Sequence, residues 1–208
     1  MLWYKGWLET RPRVLFLIAF AWLLSPPGQL AFLFALVPIL LAGSGIETQF
    51  PWKTKKGPVS TYFTLSLPVS RFRLFATRAG LGMLETVGIF AIAPCAKWVL
   101  FIFIGAEDYV SRSDLFALWV SLSVCASAFY FLGVLVSAFL DERVSSTISI
   151  VAAGLLFSHS SPAPVNLYRA MVSPLSAHSL PWASMGISLG VAAVLGLAAW
   201  RVVQTREY

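Results

Sequence analysis

Leu115-Phe-Ala-Leu-Trp-Val-Ser-Leu-Ser-Val-Cys-Ala-Ser-Ala-Phe-Tyr-Phe-Leu-Gly-Val-Leu-Val-Ser-Ala-Phe139 contains no charged residue. A helix crossing a hydrocarbon core of roughly 30 Å needs about 20 apolar residues, so this run is long enough to span a membrane unaided. Applied outward along the chain, the same measure marks six spans, at about 11–25, 28–46, 82–104, 115–139, 144–159 and 182–202. The first and fifth are short, and the first reaches across only if Arg11 and Arg13 snorkel toward the headgroups. Composition agrees. Of 208 residues, 58% are hydrophobic and 12% charged, against about 45–50% and 25% in soluble domains. That leaves too little polar surface for water on all sides. The expected fold is an all-α integral membrane protein of six transmembrane helices, a single domain over residues 1–208.

Charge placement tests the count. With the N-terminus inside, Lys5, Arg11, Arg13, Lys53, Lys55, Lys56, Arg71, Arg73, Arg78, Arg143, Arg201 and Arg206 fall in cytoplasmic segments. Only Arg112 and Arg169 fall outside, and Lys97 lies within a span. Basic residues concentrate in cytoplasmic loops, so both termini are expected in the cytoplasm, in a cell (inner) membrane. Glu107, Asp108 and Asp114 cluster at the outer side. The net charge of +6 is not a nucleic-acid footprint, because the basic residues sit between apolar runs. Cys95 and Cys125 lie within apolar runs and read as buried small side chains. Lys5, Glu9, Arg11 and Arg13 precede the first apolar run, and Pro26-Pro27-Gly28 follows it without an Ala-x-Ala site, so no cleaved signal peptide is expected.

Between the spans, three segments have a character of their own. In Met1–Thr10, Trp3, Tyr4, Trp7 and Leu8 fall on one helical side with Lys5 and Glu9 opposite. That pattern fits an amphipathic helix in the membrane interface, or simply an extension of span one. From Glu47 to Arg78 runs the longest hydrophilic stretch, in which Lys53, Lys55 and Lys56 suit an anionic lipid surface. Pro58 opens a short helix over Val59–Leu67, Pro68 closes it, and Ser70 caps a second carrying Arg71, Arg73 and Arg78. The result is a protruding cytoplasmic elbow suited to docking. From about 160 to 181, Pro162, Pro164, Pro174 and Pro181 interrupt an apolar segment too short to span, which reads as outer re-entrant or interfacial half-helices.

Catalytic signatures are missing from the sequence. It holds no G-x-x-x-x-G-K-[ST] phosphate cradle, so ATP hydrolysis is not expected on this chain. His159 and His178 have no metal-ligand partner at suitable spacing, Ser158-His159-Ser160-Ser161 has no orienting acid, and Asp141-Glu142 reads as a solvated turn beside Arg143. No metal is expected. Two ionisable residues fall within membrane depth, where each costs several kcal/mol unless paired or wetted. Lys97, three residues after Pro94, either lines a pathway for an anionic substrate group or snorkels outward beside Trp98. Glu85 either joins that pathway or pairs with Arg78 or another cytoplasmic residue. The spacings Gly133/Ser137 and Gly186/Gly190 allow close helix packing.

The segment Thr64-Leu65-Ser66-Leu67-Pro68-Val69-Ser70-Arg71-Phe72-Arg73-Leu74, followed by Arg78-Ala79, Gly82 and Glu85, resembles the cytoplasmic loop of type-2 ABC transporter permeases, the export-type membrane subunits. In that family a Leu-Pro-Val-Ser-Arg stretch follows a glycine-rich end of span two, which here corresponds to Gly43-Ser44-Gly45-Ile46-Glu47. The layout is similar over nearly the whole chain, although the turn at Pro26–Gly28 is short for the family. The resemblance implies a permease that pairs with a second permease, identical or paralogous, and with two copies of a separate ATPase that binds ATP and Mg. Leu65, Leu67, Pro68, Val69, Ser70, Arg71 and Arg73 would form the coupling region on that ATPase, and Trp3, Tyr4 and Trp7 the membrane-surface helix. The alternatives are a stand-alone ion-coupled carrier or channel, for which only Glu85 and Lys97 are available, and a membrane-embedded enzyme, for which no polar constellation is evident.

Overall fold

Ser70 opens the first helix as its sequence position predicts. Its hydroxyl accepts the backbone N–H of Arg73 at 3.3 Å, and its carbonyl accepts that of Leu74 at 3.1 Å. These bonds satisfy groups that a helix start leaves unpaired. A computed structural model describes residues 70–103, 111–137 and 178–205. These form three helices, α1 (Arg71–Phe103), α2 (Arg112–Ser137) and α3 (Trp182–Thr205), with no strand among the described residues. Each contains a segment long and apolar enough to cross a membrane, namely Phe72–Ala91, Arg112–Val136 and Trp182–Thr205. Such helices are those of a membrane protein. The expected spans one, two and five, the interfacial helix, the elbow up to Val69 and the outer half-helices lie outside the described residues.

Helix boundaries differ from expectation at α1. The second helix of the elbow does not stop before span three, because both belong to one helix of 33 residues. At 1.5 Å per residue it is about 50 Å long, well beyond a hydrocarbon core of roughly 30 Å. No proline separates Arg71 from Gly82, and a lone Gly80 is tolerated within a helix, which accounts for the merger. Pro94 does not end the helix either. A membrane helix tolerates an interior proline because neighbouring groups and local adjustments satisfy the freed carbonyl. Helix α2 starts three residues before the apolar run, where Ser111 and Asp114 cap each other. Asp114 N–H donates to Ser111 Oγ at 3.2 Å, and Ser111 N–H donates to Asp114 Oδ2 at 3.3 Å.

The three helices lie side by side with α2 in the middle. Leu74 and Phe75 of α1 pack with Tyr130 and Val134 of α2 and with Ala199 and Val203 of α3. Trp98 near the other end of α1 meets Arg112 at the start of α2, and His178 just before α3 meets Asp114. Helix α2 therefore runs antiparallel to α1 and parallel to α3. One end of the bundle gathers Arg73, Arg78 and Arg201, and the opposite end carries Arg112.

Packing along α3 follows Met185, Ser188, Ala192, Ala199 and Val203, a narrow stripe buried against the bundle. Small side chains there let the backbones approach closely. Gly196 belongs to the seam, since a Cβ at that position would sit 3.2 Å from two Phe131 ring carbons. Gly186 and Gly190 do not, having nothing within 4 Å of where a Cβ would stand. Their spacing matched a packing motif, but they fall on the open side of the helix. That side presents Trp182, Ile187, Leu189, Val191, Val194 and Leu197, a face suited to lipid. Three buried or half-buried hydroxyls are satisfied within their own helices: Thr86 donates to Gly82 O at 2.8 Å, Ser127 to Val124 O at 2.6 Å and Ser188 to Ser184 O at 2.7 Å.

Candidate functional site

Arg78, Gly82 and Glu85 recur at i, i+4 and i+7, which puts them on one face of α1. That face is turned toward α2. Arg78 and Glu85 are both buried, at 9% and 7% exposure, and Tyr130 of α2 is buried at 3%. The Tyr130 ring lies on the bare backbone of Gly82. A Cβ at Gly82 would overlap the phenol hydroxyl and sit 3.0 Å from ring carbons Cε2 and Cζ. Both Arg78 and Glu85 are within electrostatic range of Tyr130. A cation one turn before the glycine and an anion one turn after it thus flank a phenol, in a place where an isolated charge would cost several kcal/mol.

Aromatic packing closes this junction from the basic end. Phe72 meets the Trp200 ring edge-to-face at 5.2 Å, and Phe75 meets it at 5.6 Å. Tyr130 and Phe131 are edge-to-face at 5.3 Å. Such pairs add to the contact area they bury. Further along the bundle, Trp119 Nε1–H donates to the carbonyl of Val87 at 3.0 Å, a second polar tie between α1 and α2. At the far end His178, in the left-handed backbone region at φ 49°, has its Nδ1 at 2.9 Å from Asp114 Oδ2.

Among the residues singled out from sequence, Ser70 caps α1, and Arg71 and Arg73 lie in its first turn, with Arg73 exposed. Glu85 sits in the buried junction with Arg78 and Tyr130. Lys97 lies on α1, 12 residues from Glu85, which on a regular helix turns the two positions about 120° apart. The side chain of Lys97 lies outside the described residues, as do Leu65, Leu67, Pro68, Val69, Trp3, Tyr4 and Trp7. Cys125 is buried as expected, but Cys95 is exposed, because its face of α1 opens on a cleft between α1 and α2. Tyr130 and the Asp114 partner of His178 escaped the sequence reading. The only local signals were a tyrosine inside an apolar run and a Ser-x-x-Asp box.

The arrangement holds charge and fixes the orientation of helices. No group of three or more metal-ligating side chains occurs among the described residues. Compared with protein-family models, curated proteins and solved structures, the chain matches none.

Proposed function

We propose that this chain is the membrane-spanning permease subunit of an ATP-driven exporter of the ABC type, forming the substrate pathway and taking its energy from a separate ATPase chain. One observation carries the reading: α1 runs unbroken from the capped, basic turn at Ser70–Arg73 through membrane depth to Phe103. A force applied to that turn moves a single rod. The Arg78–Gly82–Glu85 face against Tyr130 passes the movement to α2 without slippage. By the positive-inside tendency, the end with Arg73, Arg78 and Arg201 faces the cytoplasm, where an ATPase would meet it. The expected assembly holds two ATPase copies, which bind ATP and Mg, and a second permease in a cell (inner) membrane.

The test uses the tagged full chain purified from its native membranes in mild detergent. An ATPase subunit with a glycine-rich phosphate loop should co-purify, and ATP turnover with it. Arg71→Glu/Arg73→Glu should remove both while leaving the permease folded. Undiminished assembly and turnover in that variant would overturn the assignment of the docking turn. Lys97→Met should weaken handling of anionic substrates if that position lines the pathway.

Glu85, buried beside Arg78 and Tyr130, favours a second reading, an ion-coupled carrier. Transport by the reconstituted chain alone, abolished by an ionophore and by Glu85→Gln but indifferent to ATP, would select it.

A further inference from the structure

At the end of the bundle away from the arginine cluster, residues of α1 and α2 line a cleft of about 640 Å³. That lies within the roughly 300–1,000 Å³ of ligand-binding clefts. Its wall is apolar and aromatic, formed by Ala91, Cys95, Trp98, Leu115, Phe116 and Trp119, with Arg112 as the charged group. The polar and apolar parts are ordered along the helix axis. Arg112 stands at the first residue of α2, and Trp119 lies seven residues further in, about 10 Å deeper. Phe116 and Trp119 meet edge-to-face at 5.6 Å, which stiffens that wall.

Arg112 is placed to receive an anion. Its guanidinium lies over the Trp98 ring, 5.3 Å from the centroid, a contact that steadies the cation. The nearby carboxylate of Asp114 is turned to Ser111 and His178. Tryptophan and arginine at the mouth match headgroup depth, and the uncharged wall below matches the acyl region.

We propose that this cleft binds an anionic phospholipid, with one acyl chain along Ala91, Phe116 and Trp119 and the phosphate on Arg112. The occupant is a lipid because, among the described residues that line the cleft, the charged one is Arg112, and it stands at the membrane-surface end of an otherwise apolar wall. A small polar anion would leave the aromatic wall unused. The site requires only that the chain lie in a bilayer, so it stands apart from the proposed coupling to an ATPase.

Cys95 reports occupancy directly. It is exposed in the cleft, whereas Cys125 is buried. The full chain in mixed micelles is treated with a fluorescent maleimide, and the labelling rate of Cys95 is followed against added phosphatidylglycerol, phosphatidylcholine or inorganic phosphate. Phosphatidylglycerol should protect Cys95 at a mole fraction roughly tenfold lower than phosphatidylcholine, because the choline cation offsets the phosphate that phosphatidylglycerol presents to Arg112 with its full net charge. Arg112→Gln should abolish that preference, Arg112→Lys should keep part of it, and Ala91→Trp should remove protection by either lipid. Equal protection by the two lipids in the unaltered chain would overturn the proposal, as would a preference that survives Arg112→Gln. Protection by inorganic phosphate alone would show an anion site and not a lipid site, and would overturn it too.

Discussion

The two ends of this helical bundle are built on different plans. At the basic end, Leu74, Phe75, Tyr130, Val134, Ala199 and Val203 close all three helices onto one another, and a glycine admits a tyrosine between two buried charges. At the opposite end residues of α1 and α2 line a cleft, and a polar tie joins Asp114 to His178, whose side chain is 65% exposed. The contrast follows from side-chain size. Small residues at Gly82, Ala199 and Gly196 bring backbones together, whereas the bulky Trp98, Phe116 and Trp119 line the cleft. One end is therefore a rigid base and the other a mouth. In lipid this matters more than in water, since apolar side chains gain little by leaving hydrocarbon and close packing supplies the difference.

Substitutions can break this contrast, and the largest effect is expected in the middle of the bundle. Phe90→Ala empties a fully buried site. Equilibrium unfolding in mixed micelles should register a loss of about 3 kcal/mol, the low end of the range for such truncations, because lipid weakens the transfer contribution and leaves the cavity. Next comes the base. Gly82→Ala drives a methyl into the Tyr130 hydroxyl and should cost about 2 kcal/mol by the same measurement. Adding Tyr130→Phe should return part of that loss, since the closest atom is gone. Full stability in the single variant would mean that the α1–α2 contact is looser than described.

Smaller effects sharpen the comparison at the mouth. Trp119→Phe keeps the ring wall but removes the bond to Val87 O, for an expected loss of about 1 kcal/mol. Asp114→Ala removes both the cap of α2 and the His178 contact and should lower stability more than His178→Ala, which removes the contact alone. Equal losses from the two would transfer the importance from the cap to the inter-helix contact. On the lipid face Val194, 67% exposed, should accept Ala within about 0.5 kcal/mol. A larger loss there would show that another helix covers α3.

Hydropathy is a local property, so α2 and α3 were legible in the chain to within a few residues: 115–139 became Arg112–Ser137, and 182–202 became Trp182–Thr205. The cap at Ser70 was legible for the same reason, since a capping side chain acts three residues along its own chain. The continuity of the elbow's second helix with span three was not legible, because charge at Arg71, Arg73 and Arg78 signals the membrane boundary and not the helix boundary. Gly186 and Gly190 carried a packing spacing, but within this chain they lie on the open side of α3, a choice of face that spacing alone does not make.

By itself, then, the sequence determined the solvent, an apolar one, and the helices suited to crossing it, because length and polarity are written residue by residue. Only the tertiary structure decided the partners of the buried polar groups. Tyr130 lies 48 residues beyond Gly82 in the numbering, and His178 lies 64 from Asp114. Such meetings depend on which helix faces come together, and no local pattern encodes that choice.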